Sequence, residues 1–232
     1  MTKISPCIVF ILIFNLFACE RHLPAQANFG SVDTILTRTA MENSEIEVNR
    51  AKLYSEHGRD RRLAIAWFCE HPEAGRPVLR AFFQPLEEEW AAEAALEALS
   101  CIGHPDDVRL LDSVLASGKL TYQAGFSLAG NPSSSAFDAL MKRSEDENEA
   151  VARGAIGGLG ERKEEAARPH LETLLKHSNA NIRWAAVLAI TDLGAKPSEK
   201  ALRDCEKVET DVDVREKITE QLKEINGHSP LS

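Results

Sequence analysis

The chain is short of aromatics and of positive charge. Phe, Trp and Tyr make up 6% of its 232 residues, and 27 Lys and Arg stand against 36 Asp and Glu. The resulting formal charge of −9 argues against a nucleic-acid binder, whose phosphate contacts need a basic surface. No apolar run reaches the ~20 residues that span a bilayer; the longest, Ile8 to Ala18, stops well short. The five cysteines form no CxxC, and the seven histidines give neither HExxH nor a pair at i, i+4, so the common zinc patterns are absent. The stretch "GAIGGLG", Gly154 to Gly160, lacks phosphate-loop spacing and follows no strand. Small residues that let neighbouring helices approach explain it better. No Ser/His/Asp or Cys/His set and no carboxylate pair can be assembled from spacing. The sequence therefore predicts no catalytic residue, cofactor, metal or small-molecule substrate, and a protein that is not an enzyme.

Alanine and leucine are plentiful, and both enter helices at low cost. Apolar residues recur in sets placed i, i+4, i+7, one face of a helix. Ala95, Leu99 and Ile102 precede Gly103; Tyr122, Phe126 and Ala129 precede Gly130. Ala152, Ile156 and Leu159 precede Gly160, and Ala186, Ile190 and Leu193 precede Gly194. Ile218, Leu222 and Ile225 precede Asn226. Glycine, and asparagine after it, tolerates the left-handed conformation that ends many helices, so five left-handed stops are expected. Between each stop and the next stripe there is room for one further helix, as in "PDDVRLLDSVLAS" and "PSEKALRDCEKV". A period near 30 residues holding two helices predicts an all-α fold, an α-solenoid of about five to six helix pairs over residues 45–228. A leading helix closes at Gly58, residues 19–44 read as a tether, and 229–232 form a tail.

The first residues carry one Lys before the apolar run, the proportions of a secretory signal. "LFAC", Leu16 to Cys19, resembles the bacterial lipoprotein signal, which implies a signal peptide over 1–18 and lipid on Cys19. Glu20 in place of Asp then implies an outer-membrane protein facing the periplasm. A cut after Ala27, at "PAQA", is the alternative and gives a soluble periplasmic or secreted chain. Export leaves Cys69, Cys101 and Cys205. Cys69 and Cys101 occupy matching positions of neighbouring units, where helix axes lie ~8–10 Å apart. A disulfide needs Cα atoms within ~7 Å, so a bridge is possible but buried free thiols are expected.

"NANIRWAAVLAITDLG" and "TDVDVREKITEQLKEIN" resemble the second helix of HEAT repeats, with Ile182-Arg183 and Val214-Arg215 at the family's Val-Arg position. The short, alanine-rich units look most like the bacterial subgroup named after phycobilin lyases, over residues 60–226. Asn148-Glu149 stand where that pair is expected before Ala152. The resemblance implies second helices on a concave face, with Trp90, Arg183, Trp184 and Arg215 as candidates for holding a protein partner. Joined to the lipoprotein-type signal, it implies an exported, lipid-anchored scaffold or adaptor. An enzyme or enzyme subunit related to HEAT-like lyases is the alternative, and a nucleic-acid-binding solenoid a weaker one. Acidic runs such as "LEEEWAAE", "SEDENEA" and "KVETDVDVRE" open second helices, where the helix dipole favours them. Their other reading is an acidic edge for basic partners.

Overall fold

The computed structural model describes residues 32–84 and 88–227, with side chains from residue 43 onward. The chain divides into two compact units, 1–41 and 42–232. The first is described only as the opening turns of a helix, and the second holds the remaining helices. The signal peptide, Cys19, the cut after Ala27 and the tail at 229–232 lie outside the described residues. Among the described residues no helix is long and apolar enough to cross a membrane.

Every regular element among the described residues is helical. The order is α1 (Val32–Leu53), α2 (Gly58–Glu70), α3 (Pro72–Ala81), α4 (Glu89–Ile102), α5 (Val108–Ala116) and α6 (Thr121–Gly130). Then come α7 (Ser134–Arg143), α8 (Glu149–Arg162), α9 (Arg168–Leu174), α10 (Ala180–Asp192), α11 (Glu199–Glu206) and α12 (Val212–Gly227). From α3 on, read in twos, they make five pairs. The even-numbered helices from α2 to α12 pack side by side in chain order, and the odd-numbered helices from α3 onward lie against them as a second layer. Between the layers Leu99, Leu111, Leu128, Leu140, Ile156, Leu171, Ile190 and Ile218 are all fully buried. Burying each such side chain stabilises by about 1.5–3 kcal/mol, which is what binds one pair to the next.

The sequence places a tether through residue 44 and a leading helix closing at Gly58. The backbone is instead helical from Val32 to Leu53, and Gly58 opens α2. Two of the five expected stops are left-handed, at Gly103 (φ 62°) and Gly194 (φ 96°). At the other three the helix ends differently. α6 passes into extended Asn131, α8 runs on to a left-handed Lys163, and α12 continues through Asn226. Gly130 and Gly160 serve close approach instead. A Cβ on Gly130 would strike Ser100 Oγ, and one on Gly160 would stand 2.7 Å from the Cα of Ala189.

The stripe read on α6 is also out of phase. Tyr122 and Phe126 are 42% and 45% exposed, while Thr121, Ala124, Gly125 and Leu128 are buried. The cause is the neighbouring helix. A Cβ on Gly125 would meet the carbonyl of Gly154, so α6 must turn its smallest residues inward and its rings outward. "GAIGGLG" does what its small residues suggest, bringing α8 against both neighbours through Gly154, Gly158 and Gly160.

Cys69 and Cys101 form a disulfide that ties α2 to α4, with Cα atoms 5.9 Å apart. This corrects the expectation of free thiols. Axis spacing overstates the gap, because each facing Cα stands ~2.3 Å off its own axis toward the other helix. Cys205 is free and buried, its thiol donating to the carbonyl of Leu175.

Candidate partner-binding face

The even-helix layer buries one side and presents the other. Two hydrogen bonds set the register of α4 against α6: Gln123 Nε2 donates to Glu93 Oε1 at 2.7 Å, and Ser127 Oγ donates to the carbonyl of Leu96 at 3.1 Å. The exposed side of this pair carries Trp90, Glu93 and Glu97 beside Tyr122 and Phe126. Trp90 is as exposed as Phe126, at 45%. On α8 the guanidinium of Arg153 lies over the Tyr122 ring, 5.7 Å from its centre, and 3.7 Å from Glu149 Oε1. One turn on, Gly157 has nothing within 4 Å of the position a Cβ would take. A trough therefore lies open over α8, between Phe126 on α6 and the exposed Leu188 on α10. Farther along, Arg153, Trp184, Val212, Arg215 and Glu220 line a cavity of about 910 Å³ between α10 and α12.

The four residues named from sequence divide. Trp90 stands open on the face. Trp184 is half-buried in the wall of the large cavity. Arg215 is exposed at the same cavity and donates to the carbonyl of Glu209. Arg183 is drawn into the frame. Its guanidinium makes two bonds, of 2.7 and 2.6 Å, to the buried Glu209 carboxylate, and two more to the carbonyls of His177 and Ser178. Those bonds, with N–H donation from Thr210 and Asp211, hold the Glu209 carboxyl down at about 2 despite its burial. Arg183 and Glu209 thus tie α10 to the turn before α12.

Tyr122 and Phe126 are absent from the sequence-based set because their spacing matches a core stripe. The signal that identifies them is the run of small residues on the other side of the same helix, Thr121, Ala124 and Gly125.

Several acids of the acidic runs are engaged by neighbouring groups. Asp146 pairs with Arg143, Glu149 accepts from Asn179 and Asn181, and Asp211 accepts from the N–H groups of Asp213 and Val214. Asp192, at the end of α10, has its carboxyl raised by burial and then by the charge of Glu161 on α8.

Residues 116–191 and 137–223 match the family described as HEAT repeats. No curated protein matches the chain in sequence. Among solved structures the chain is similar to the complex of CpcE and CpcF of phycocyanin lyase from Nostoc sp. PCC7120. The identity is 20%, the match covers 77% of this chain and 76% of that one, and the TM-score is 0.44. That complex is an enzyme, which stands against the expectation of a protein that is not one, and the expectation is withdrawn. With five helix pairs in two layers, the chain is an all-α solenoid, and its residues 116–223 match HEAT repeats.

Proposed function

We propose that this solenoid holds another polypeptide on its even-helix face, outside the cytoplasm, anchored through lipid on Cys19. The observation that carries the binding reading is the exposure of Trp90, Tyr122 and Phe126 together on one face of a chain poor in aromatics. Aromatic rings left in water as a group mark sites where a partner removes them from it. Export is supported by the apolar run before Cys19 and by the Cys69–Cys101 bridge, since disulfides persist in oxidising compartments. Two or more acyl chains on Cys19 would hold the protein stably on a bilayer.

A photo-crosslinking residue placed at Phe126 or Trp90 in growing cells tests the face, with Arg109 on α5 and Lys142 on α7 as positions on the other layer. Polypeptide adducts should form from the first two positions and not from the second two. Equal adducts from both layers, or none from either, would refute the reading. Intact-mass measurement of the mature protein tests the anchor, which an unmodified chain beginning at Asn28 would eliminate.

A further inference from the structure

We infer that the segment held on this face is cationic: an extended stretch that sets Lys or Arg against the rings and carboxylates of α4 and α6 and lays an apolar side chain in the trough over Gly157. The inference rests on the reading that the face binds a polypeptide, and it specifies that polypeptide's chemistry.

Three independent features converge on it. The first is unspent charge. Some acids elsewhere are consumed by arginines, as in Asp107 with Arg76, Asp112 with Arg143 and Glu209 with Arg183. Glu89, Glu93 and Glu97 on α4 and Glu161 on α8 form no ion pair among the described residues, and Glu89, Glu97 and Glu161 are exposed. The second is the company those carboxylates keep. The α4–α6 register sets Glu93 and Glu97 beside Tyr122 and Phe126, and an aromatic face flanked by carboxylates attracts a cation through both its π cloud and its charge.

The chain already shows one such seat filled. The Arg153 guanidinium lies over Tyr122 with Glu149 beside it, while the Trp90 and Phe126 rings have no cation over them among the described residues. The third feature is the trough. Gly157 removes the side chain from the middle of the face without being required by any neighbour, since nothing stands within 4 Å of its missing Cβ. An extended segment crossing from α4 to α10 spans three helix spacings of ~8–10 Å, which about eight residues cover.

The test uses the full chain and three fluorescent 12-residue peptides, each alternating Leu with Lys, Gln or Glu, read by fluorescence anisotropy. The Lys peptide should bind at least tenfold more tightly than the Gln peptide, and the Glu peptide should not bind. Glu97→Gln combined with Phe126→Ala should weaken the Lys peptide at least tenfold. Gly157→Lys should abolish binding while the protein melts no lower than the parent. Glu73→Gln with Asp138→Asn removes two exposed charges on the odd-helix layer and should change binding less than twofold.

If that distant pair weakens binding as much as the local pair, the attraction is only the overall charge of −9 and the inference is overturned. If the Gln peptide binds as tightly as the Lys peptide and Gly157→Lys still blocks it, the cationic partner is wrong but the binding face stands. If none of the peptides binds, the inference falls, and the crosslinks from Phe126 decide separately whether the face binds a polypeptide at all.

Discussion

Gly157 and Gly158 are neighbours on α8, yet a methyl group added to each should move stability in opposite directions. Alanine is favoured over glycine inside a helix by about 0.8–1.0 kcal/mol, and both positions receive that gain. At Gly157 nothing opposes it, because the new Cβ meets nothing within 4 Å. At Gly158 the Cβ would stand 2.6 Å from the carbonyl oxygen of Gly125 and 2.7 Å from Cδ2 of Leu140. Ordinary contact begins at 3.4 Å, so α6 and α8 must separate by several tenths of an ångström. Leu140 can turn away, but Gly125 offers only backbone.

Overpacking of this kind costs about 1–3 kcal/mol, toward the upper end when backbone must yield. The net expectation is a gain near 1 kcal/mol for Gly157→Ala and a loss of about 1–2 kcal/mol for Gly158→Ala. At ~2–4 °C per kcal/mol for a chain of this length, the two melting temperatures should differ by roughly 5–10 °C in thermal unfolding followed by circular dichroism. Shifts of the same sign for both variants would refute the packing of α6 on α8.

Two further outcomes follow from the clamps between repeats. The Glu209 carboxyl titrates near 2 in the folded chain against an ordinary 4.5, so its contribution is complete above about pH 4.5 and is lost as pH falls toward 2. The shift corresponds to about 3 kcal/mol, so Glu209→Gln should cost about that at pH 7 by urea unfolding, with the gap to the parent narrowing as pH falls below 4.5. A gap that stays constant from pH 7 to pH 3 would rule out the charged pair as its source. Replacing Cys69 and Cys101 together by Ser should cost about 3–4 kcal/mol in the chain-entropy account of a bridge with a sequence separation of 32. Calorimetry should show the parent in reductant melting with the double variant, and reductant without effect on the parent would contradict the bridge.

The repeating helix pair is legible in the sequence because it is written in local terms. A stripe such as Ala186, Ile190 and Leu193, a glycine, then a proline, needs only one helix to be understood. What the same letters do across helices is not local. Gly103 and Gly160 look alike as stops, but the second is held by Ala189 on the next even helix, which no spacing within α8 discloses. Arg183 looks like a free cation until Glu209, 26 residues later, folds back to it. On the candidate face Trp90 could be named because it lies on a second helix, the layer that the resemblance puts on the concave side. Tyr122 and Phe126 could not, because they complete a core stripe, and only the close contact with α8 decides which side of α6 faces in.

The clamps lie along both edges of the stack. At the edge where even helices end, Arg162 caps the carbonyls of Leu128, Asn131 and Ser133 one repeat back, while Arg168 caps those of Leu193 and Gly194, which close its own pair, and donates to Ser198 Oγ in the next. At the opposite edge Arg143 reaches Asp112, Ser144 meets His170, and Arg183 holds Glu209. A ladder with rungs on both rails resists hinging at any single loop, since opening one junction means breaking bonds on each side of it. The face between the rails is therefore preorganised. A partner settling there has little backbone to order, so more of its contact energy is left to appear as affinity. Free and bound forms of the even-helix layer should superimpose, with change confined to side chains such as Trp90 and Phe126.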